Sequence, residues 1–295
     1  MKYIAMAGVS ALVFVFTGNG VFAAPAAMTD FIRPHLQKIA VKNIKPSELA
    51  SYRALYRMKL SSGYENSKLT SADGLMSYTF NDQCDGWSSE TNVALNLGYA
   101  DGRVSLMNWS FADWENKNGL KYRFKGLQKQ DGQIVERING VVTRKSVSDI
   151  STVKFTAPEK EPLTLPGGTV FPTRFLLDIF TASRLGKNNL RQTVFDGAGL
   201  ENPYDVNAVM VSSSLLTKRP KPPTGKNVQA TADIRYPVQL AYFPKSSPSP
   251  TPEYELMIDF QNNGIARFMR QDFGDFALDL FVDKIELLPT VKCKN

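Results

Sequence analysis

From Tyr52 the chain alternates. Tyr52, Ala54, Tyr56, Met58 and Leu60 fall on one side of a two-residue repeat, and Arg53, Leu55, Arg57 and Lys59 fall on the other. That is a strand with one apolar face and one mostly basic face. The repeat returns at Met76, Tyr78 and Phe80 and again at Val93, Leu95, Leu97 and Tyr99. Asp101-Gly102, Asn118-Gly119 and Asp131-Gly132 then punctuate the chain. Such dipeptides suit tight hairpins because glycine accepts a positive φ without strain. They predict strands over Val104–Phe111, Leu120–Leu127 and Ile134–Val142. Parallel pairing needs helical crossovers and there is no room for them, so the expected topology is an antiparallel meander.

Further along the period changes. The stretch PLTLPGGTVFPT, Pro162 to Thr173, reads as a loop. Over Thr173–Leu185, Phe175, Leu176, Ile179, Phe180 and Ala182 recur at helical spacing, with Gly186 as a stop. Alternation resumes at Arg191–Phe195, at Val206, Ala208 and Met210, and at Tyr236–Phe243. Tyr254, Leu256, Ile258 and Phe260 turn at Asn263-Gly264 and return through Ile265–Met269, the clearest hairpin in the sequence. Phe276, Leu278, Leu280 and Val282 make a last strand. Residues 216–229 and 244–252, rich in Pro, Lys and Ser, read as loops. Near the start, Phe31, Ile32, His35, Leu36 and Ile39 predict a short amphipathic helix. The fold class expected is mainly β: one large curved antiparallel sheet, partly closed, with two or three short helices and no period of a solenoid or propeller.

The first residues carry a different signal. Lys2, the apolar run Ile4–Phe16 and the small residues of Val21-Phe22-Ala23 read as a secretory signal peptide over residues 1–23, cleaved after Ala23. The run is shorter than the roughly 20 apolar residues of a bilayer span. No cysteine follows to carry a lipid, and no later segment is apolar enough for a membrane helix. The remaining 24–295 is expected to be a single exported domain, placed in the periplasm. The net charge of +7 becomes +6 once Lys2 is removed. Such a balance suits a soluble basic protein, and could favour anionic lipid or an acidic partner. The export address excludes nucleic acid.

Export also changes how Cys84 and Cys293, the 2 cysteines of the chain, are read. In an oxidising compartment two cysteines most simply pair, and free buried thiols or an intermolecular bond are the alternatives. Their separation, far from Cys-x-x-Cys, is not that of a redox centre.

Candidate chemistry is sparse. His35 is the only histidine, so zinc sites of the usual types and Ser–His catalysis lack partners. Leu165 to Gly168, LPGG, lacks the lysine of a P-loop. Asp272 and Asp275 fit a turn between strands. Trp109 and Trp114 are expected to flank a tight connection, with Glu115 beside the second, and to pack on the core. Lys218-Arg219-Pro220-Lys221 reads as a solvated loop able to meet an acidic surface. No catalytic residue, metal site or cofactor is expected.

Seven motifs run in order through the mature chain: LASYRALYRMKL at 49–60, GLMSYTFNDQCDGW at 74–87, DWENKNGLKYRF at 113–124, LPGGTVFPT at 165–173, FDG at 195–197, YPVQLAYF at 236–243 and NNGIARFMRQDFGDF at 262–276. Together they resemble the EipB family of alphaproteobacterial cell-envelope integrity proteins, a domain family of unknown function. The resemblance implies a periplasmic β-spiral, a broad antiparallel sheet wound on itself, with a disulfide between Cys84 and Cys293. It also implies a role in maintaining the envelope under stress and a periplasmic tetratricopeptide-repeat partner. The function expected is therefore non-enzymatic support of envelope integrity through protein contacts. The alternative is a carrier or sensor of lipid or lipoprotein, whose apolar concave face would hold the ligand.

Overall fold

A computed structural model describes residues 49–61, 67–159, 161–200, 203–211, 235–246, 249–289, 291 and 293. The alternating runs become strands: β1 (Tyr52–Leu60), β2 (Leu69–Asp82), β3 (Gly86–Tyr99), β4 (Val104–Asn116), β5 (Lys121–Gln130) and β6 (Gln133–Thr143). Then come β7 (Ser151–Ala157), β8 (Leu163–Leu165) and a helix, α1 (Pro172–Arg184). The chain ends in β9 (Asn189–Val194), β10 (Tyr204–Met210), β11 (Arg235–Pro244), β12 (Tyr254–Gln261), β13 (Ala266–Asp272) and β14 (Ala277–Leu287).

All 14 strands form one sheet in the order β8-β7-β6-β5-β4-β3-β2-β1-β14-β13-β12-β11-β10-β9, and every neighbouring pair is antiparallel. The sheet thus consists of two meanders joined where the first strand meets the last, with Tyr52 opposite Leu287 and Leu60 opposite Leu278. Its outer strands approach each other as well. Just past β8, the Val170 N–H donates to Thr193 O and Val170 O accepts from the Phe195 N–H, at 2.9 and 3.0 Å. That single parallel bridge draws the sheet round on itself.

The apolar sides of the strands face inward, and α1 fills the concavity they make. Pro172 stands in the first turn and Gly186, at φ 74°, follows the last, an arrangement that suits both residues. Phe175, Leu176, Ile179 and Phe180 are buried. Phe180 lies 5.1 Å from the Tyr236 ring and 5.7 Å from Phe260, while Phe171, at the other end, stacks on Tyr122 at 4.8 Å. The helix therefore bridges both meanders. Close approach also needs missing side chains: a Cβ on Gly126 would stand 2.7 Å from Ile138 and 3.2 Å from Phe111.

The mainly β, partly closed sheet is as expected, and every turn dipeptide falls where a hairpin turns. Of the two or three short helices expected, α1 is the single one among the described residues. The helix expected around Phe31–Ile39 and the loop at 216–229 lie outside them. Trp109 and Trp114 do not flank a connection; both stand on β4, which runs unbroken past Phe111. The loop predicted over Pro162–Thr173 contains β8, and β7 lies where no strand is predicted. The apolar concave face that a carrier would use is core: Tyr52, Tyr56, Met58, Met76 and Tyr78 on it are buried. Among the described residues a cleft of about 180 Å³, including solvent at its mouth, is lined by Leu49, Tyr52, Tyr78, Phe80, Leu176, Asn263 and Gly264.

Candidate functional site

The neighbourhood of Cys84 follows from the strand order. β14 lies beside β1 and β1 beside β2, so the residues after β14 emerge two strands from the end of β2. Ser51 ties the three together: its carbonyl accepts from the Leu288 N–H and its hydroxyl from the Asp82 N–H, both at 2.9 Å. Cys84, in the turn between β2 and β3, is disulfide-bonded to Cys293, with Cα atoms 5.4 Å apart across 209 positions of sequence. Both cysteines are exposed.

A second constellation lies inside. On β4 the inward positions run Ser105, Met107, Trp109, Phe111, Asp113 and Glu115, so alternation brings two carboxylates onto the core face. Glu115 is only 1% exposed. Its two oxygens accept from the backbone N–H groups of Thr173 and Arg174, at 2.7 and 3.1 Å. Phe171, at the N-cap of α1, offers no side-chain cap. Glu115 supplies that cap from a distant strand, meeting donors that a helix end leaves without partners. Burial pushes its carboxyl up to about 8; the two backbone donors oppose the shift and Asp113 adds to it.

Asp113 accepts from the Ser89 hydroxyl at 3.0 Å and from the Tyr122 hydroxyl at 3.3 Å, and Tyr122 also donates to Asp196 O at 2.6 Å. Burial, followed by the nearby carboxylates, drives Tyr122 well above the usual phenol range. Arg144, also buried, donates to Gly119 O and Thr169 O and lies 4.6 Å from the Phe171 ring. These groups hold the start of α1 against β4, β5 and the chain after β8. Glu115 and Asp113 spend acceptors on the fold. Among the described residues no three His, Cys, Asp or Glu side chains are grouped to hold a metal.

The other residues singled out in the sequence scatter. Trp109 is buried and stacks on Phe111 at 5.4 Å, whereas Trp114 faces outward beneath the Arg123 guanidinium. Asp272 accepts from the Gly274 N–H in the β13–β14 turn, where Asp275 is exposed, so the pair does turn work. LPGG closes against the loop before β7, where a Cβ on Gly167 would meet Ser148 O at 2.2 Å. His35 and Lys218 to Lys221 lie outside the described residues. The capping role of Glu115 lies beyond the strand predicted over Val104–Phe111, since β4 runs on to Asn116. Extending the alternation by four residues places a carboxylate at a core position, and that was the available signal.

Comparison with known proteins agrees with this architecture. A crystal structure of a β-barrel-like protein of a domain of unknown function from Brucella abortus superposes with a TM-score of 0.74, at 23% identity, over 82% of this chain and 100% of that one. The cell envelope integrity protein EipB of Brucella abortus (strain 2308) is 25% identical over 297 aligned positions, 99% of this chain and 97% of that protein. The EipB-like family model matches residues 43–289, and the chain belongs to that family.

Proposed function

We propose that this chain is an exported, non-enzymatic periplasmic protein, cleaved after Ala23, that supports envelope integrity and stress resistance through contacts with other proteins. The observation that carries the reading is the filled interior. α1 is seated in the concavity, and the cleft beside Leu49 and Tyr52, even counting the solvent at its mouth, is smaller than the roughly 300–1,000 Å³ of ordinary ligand pockets. Glu115 is committed to two backbone donors of α1 and Asp113 to the Ser89 and Tyr122 hydroxyls. What the fold offers is its outer face and rims, braced by the Cys84–Cys293 clasp. The relation to a cell envelope integrity protein supports the same role, and a tetratricopeptide-repeat protein is a candidate partner.

A lipid or lipoprotein carrier would require α1 to leave the concavity and Glu115 to give up its two donors. Native mass spectrometry of protein taken from its own envelope tests that alternative; lipid retained stoichiometrically would favour it. For the leading reading, a deletion strain should become sensitive to detergents and cell-wall drugs, and the intact gene should restore resistance. Unchanged sensitivity across the panel would count against it, and in-cell crosslinking should recover a protein partner.

A further inference from the structure

The outer face is not uniform in charge. On β1 each outward cation has an acidic neighbour: Arg53 with Glu286, Arg57 with Asp283 and Lys59 with Asp73, at 3.8, 2.8 and 3.8 Å. Farther round the sheet this compensation stops. Outward positions of β5 carry Lys121, Arg123, Lys125 and Lys129, with Arg137 on β6 and Lys154 on β7. None of the six pairs with a carboxylate among the described residues. On the outward positions of β3 to β8 the one acid is Glu90, across Ala112 from Lys125. At about 3.4 Å per residue the β5 cations form a stripe roughly 27 Å long, and at about 4.8 Å per strand Lys154 stands about 10 Å from Arg123, across Val141.

One end of this stripe is apolar. Val104 and Leu106 at the start of β4 and Ile134 and Val135 at the start of β6 are 74%, 41%, 53% and 45% exposed. Ile134 is opposite Lys129. The acids of the adjoining turns are already engaged, Asp101 with Arg103 and Asp131 with Ser105 and the Leu106 N–H. Toward the other end Trp114 lies under Arg123, its ring 4.6 Å from the guanidinium.

We propose that this face, β4 to β7, docks peripherally on an anionic phospholipid bilayer, the cations meeting headgroup phosphates and the Val104/Leu106/Ile134/Val135 tip entering the interface. A row of uncompensated cations matches a negatively charged plane. Exposed aliphatic side chains at one end of it gain from a bilayer and not from a soluble polyanion. The face does not span the membrane, since the outward positions of a transmembrane barrel are apolar. The inference is independent of the protein-contact reading, because purified chain and lipid alone test it.

The experiment is co-sedimentation of the mature chain with vesicles of phosphatidylcholine, alone or with three parts in ten phosphatidylglycerol, at low and high salt. The expected result is binding to the anionic vesicles only, weakened by salt. Each basic side chain near an anionic surface raises partitioning about five-fold. The triple variant Lys121→Glu, Arg123→Glu, Lys125→Glu should therefore lose at least about 100-fold, and the matching Gln variant should lose less. Ile134→Ser with Val135→Ser should weaken vesicle binding several-fold while leaving binding to soluble polyphosphate unchanged. Thermal unfolding of each variant verifies that it folds. No binding to anionic vesicles, retained binding by the triple Glu variant, or an unaffected tip variant would each overturn the proposal; the last would assign the face to a soluble polyanion.

Discussion

Glu115 makes the stability of this fold depend on pH in a direction opposite to that of most salt-bridged carboxylates. Its carboxyl is raised from 4.5 to about 8 by burial. The folded protein therefore holds a proton that the unfolded chain releases. The contribution is fully present below pH 4.5, is lost as pH rises, and levels off above about 8. Integrating the linkage from pH 5 to pH 8 gives a loss of about 3 to 4 kcal/mol from this one group. The informative comparison is Glu115→Gln, which cannot titrate. Its amide nitrogen would face a backbone donor of α1, a cost that lowers stability by a pH-independent amount. Glu136, raised by burial to about 7, and Glu255, also raised, contribute slopes to both proteins and cancel in the difference. Urea unfolding at several pH values should show wild type minus Glu115→Gln shrinking by about 3 kcal/mol across that window. Parallel profiles would refute the reasoning. A difference that grows with pH would show that the two α1 donors, rather than burial, govern the carboxyl.

Three further outcomes are expected. Replacing Cys84 or Cys293 by Ser should lower stability, with the chain-entropy limit for so long a loop near 5 kcal/mol, and should speed proteolysis of the segment after β14; identical melts with and without reductant would speak against a clasp. Gly197→Ala should cost about 3 kcal/mol, because Gly197 has φ 71° and an added Cβ would sit 2.4 Å from the Phe124 ring; a thermal melt within a degree of wild type would be the contrary result. Phe180→Ala should cost about 3 to 5 kcal/mol by emptying the space between α1, Tyr236 and Phe260, and denaturant titration measures it.

Much of the sheet is legible in the sequence because one face of each long strand is buried while the other is wet. Such strands alternate, and their turns carry Asp-Gly or Asn-Gly. Legibility fails where that contrast fails. β7 has Ser151, Val153 and Phe155 inward, but Phe155 is only half-buried and the run is short. β8 has three residues between prolines. The pairing of β1 with β14 leaves no trace in either strand, since a period of two marks a strand's faces and not its neighbour. The same limit hid the site: Glu115 is recognisable as an inward carboxylate once β4 is extended, but the helix end it caps is 58 residues away. The uncompensated cations of β5 read as an ordinary polar face until the register shows that their neighbours hold only one acid.

The junction of β1 with β14 would bear on the export proposed above. A chain that crosses the membrane amino-terminus first delivers β1 at the outset and β14 last. Until the tail is through, β1 has a partner on one side only, and β9 to β14 can do no more than build a separate meander. Each half can zip locally as it emerges, but the edges of β1 and β13 that β14 will cover stay open until β14 arrives. The final eleven-residue strand covers both at once, so the molecule is most vulnerable to pairing with a stranger just before its last segment arrives.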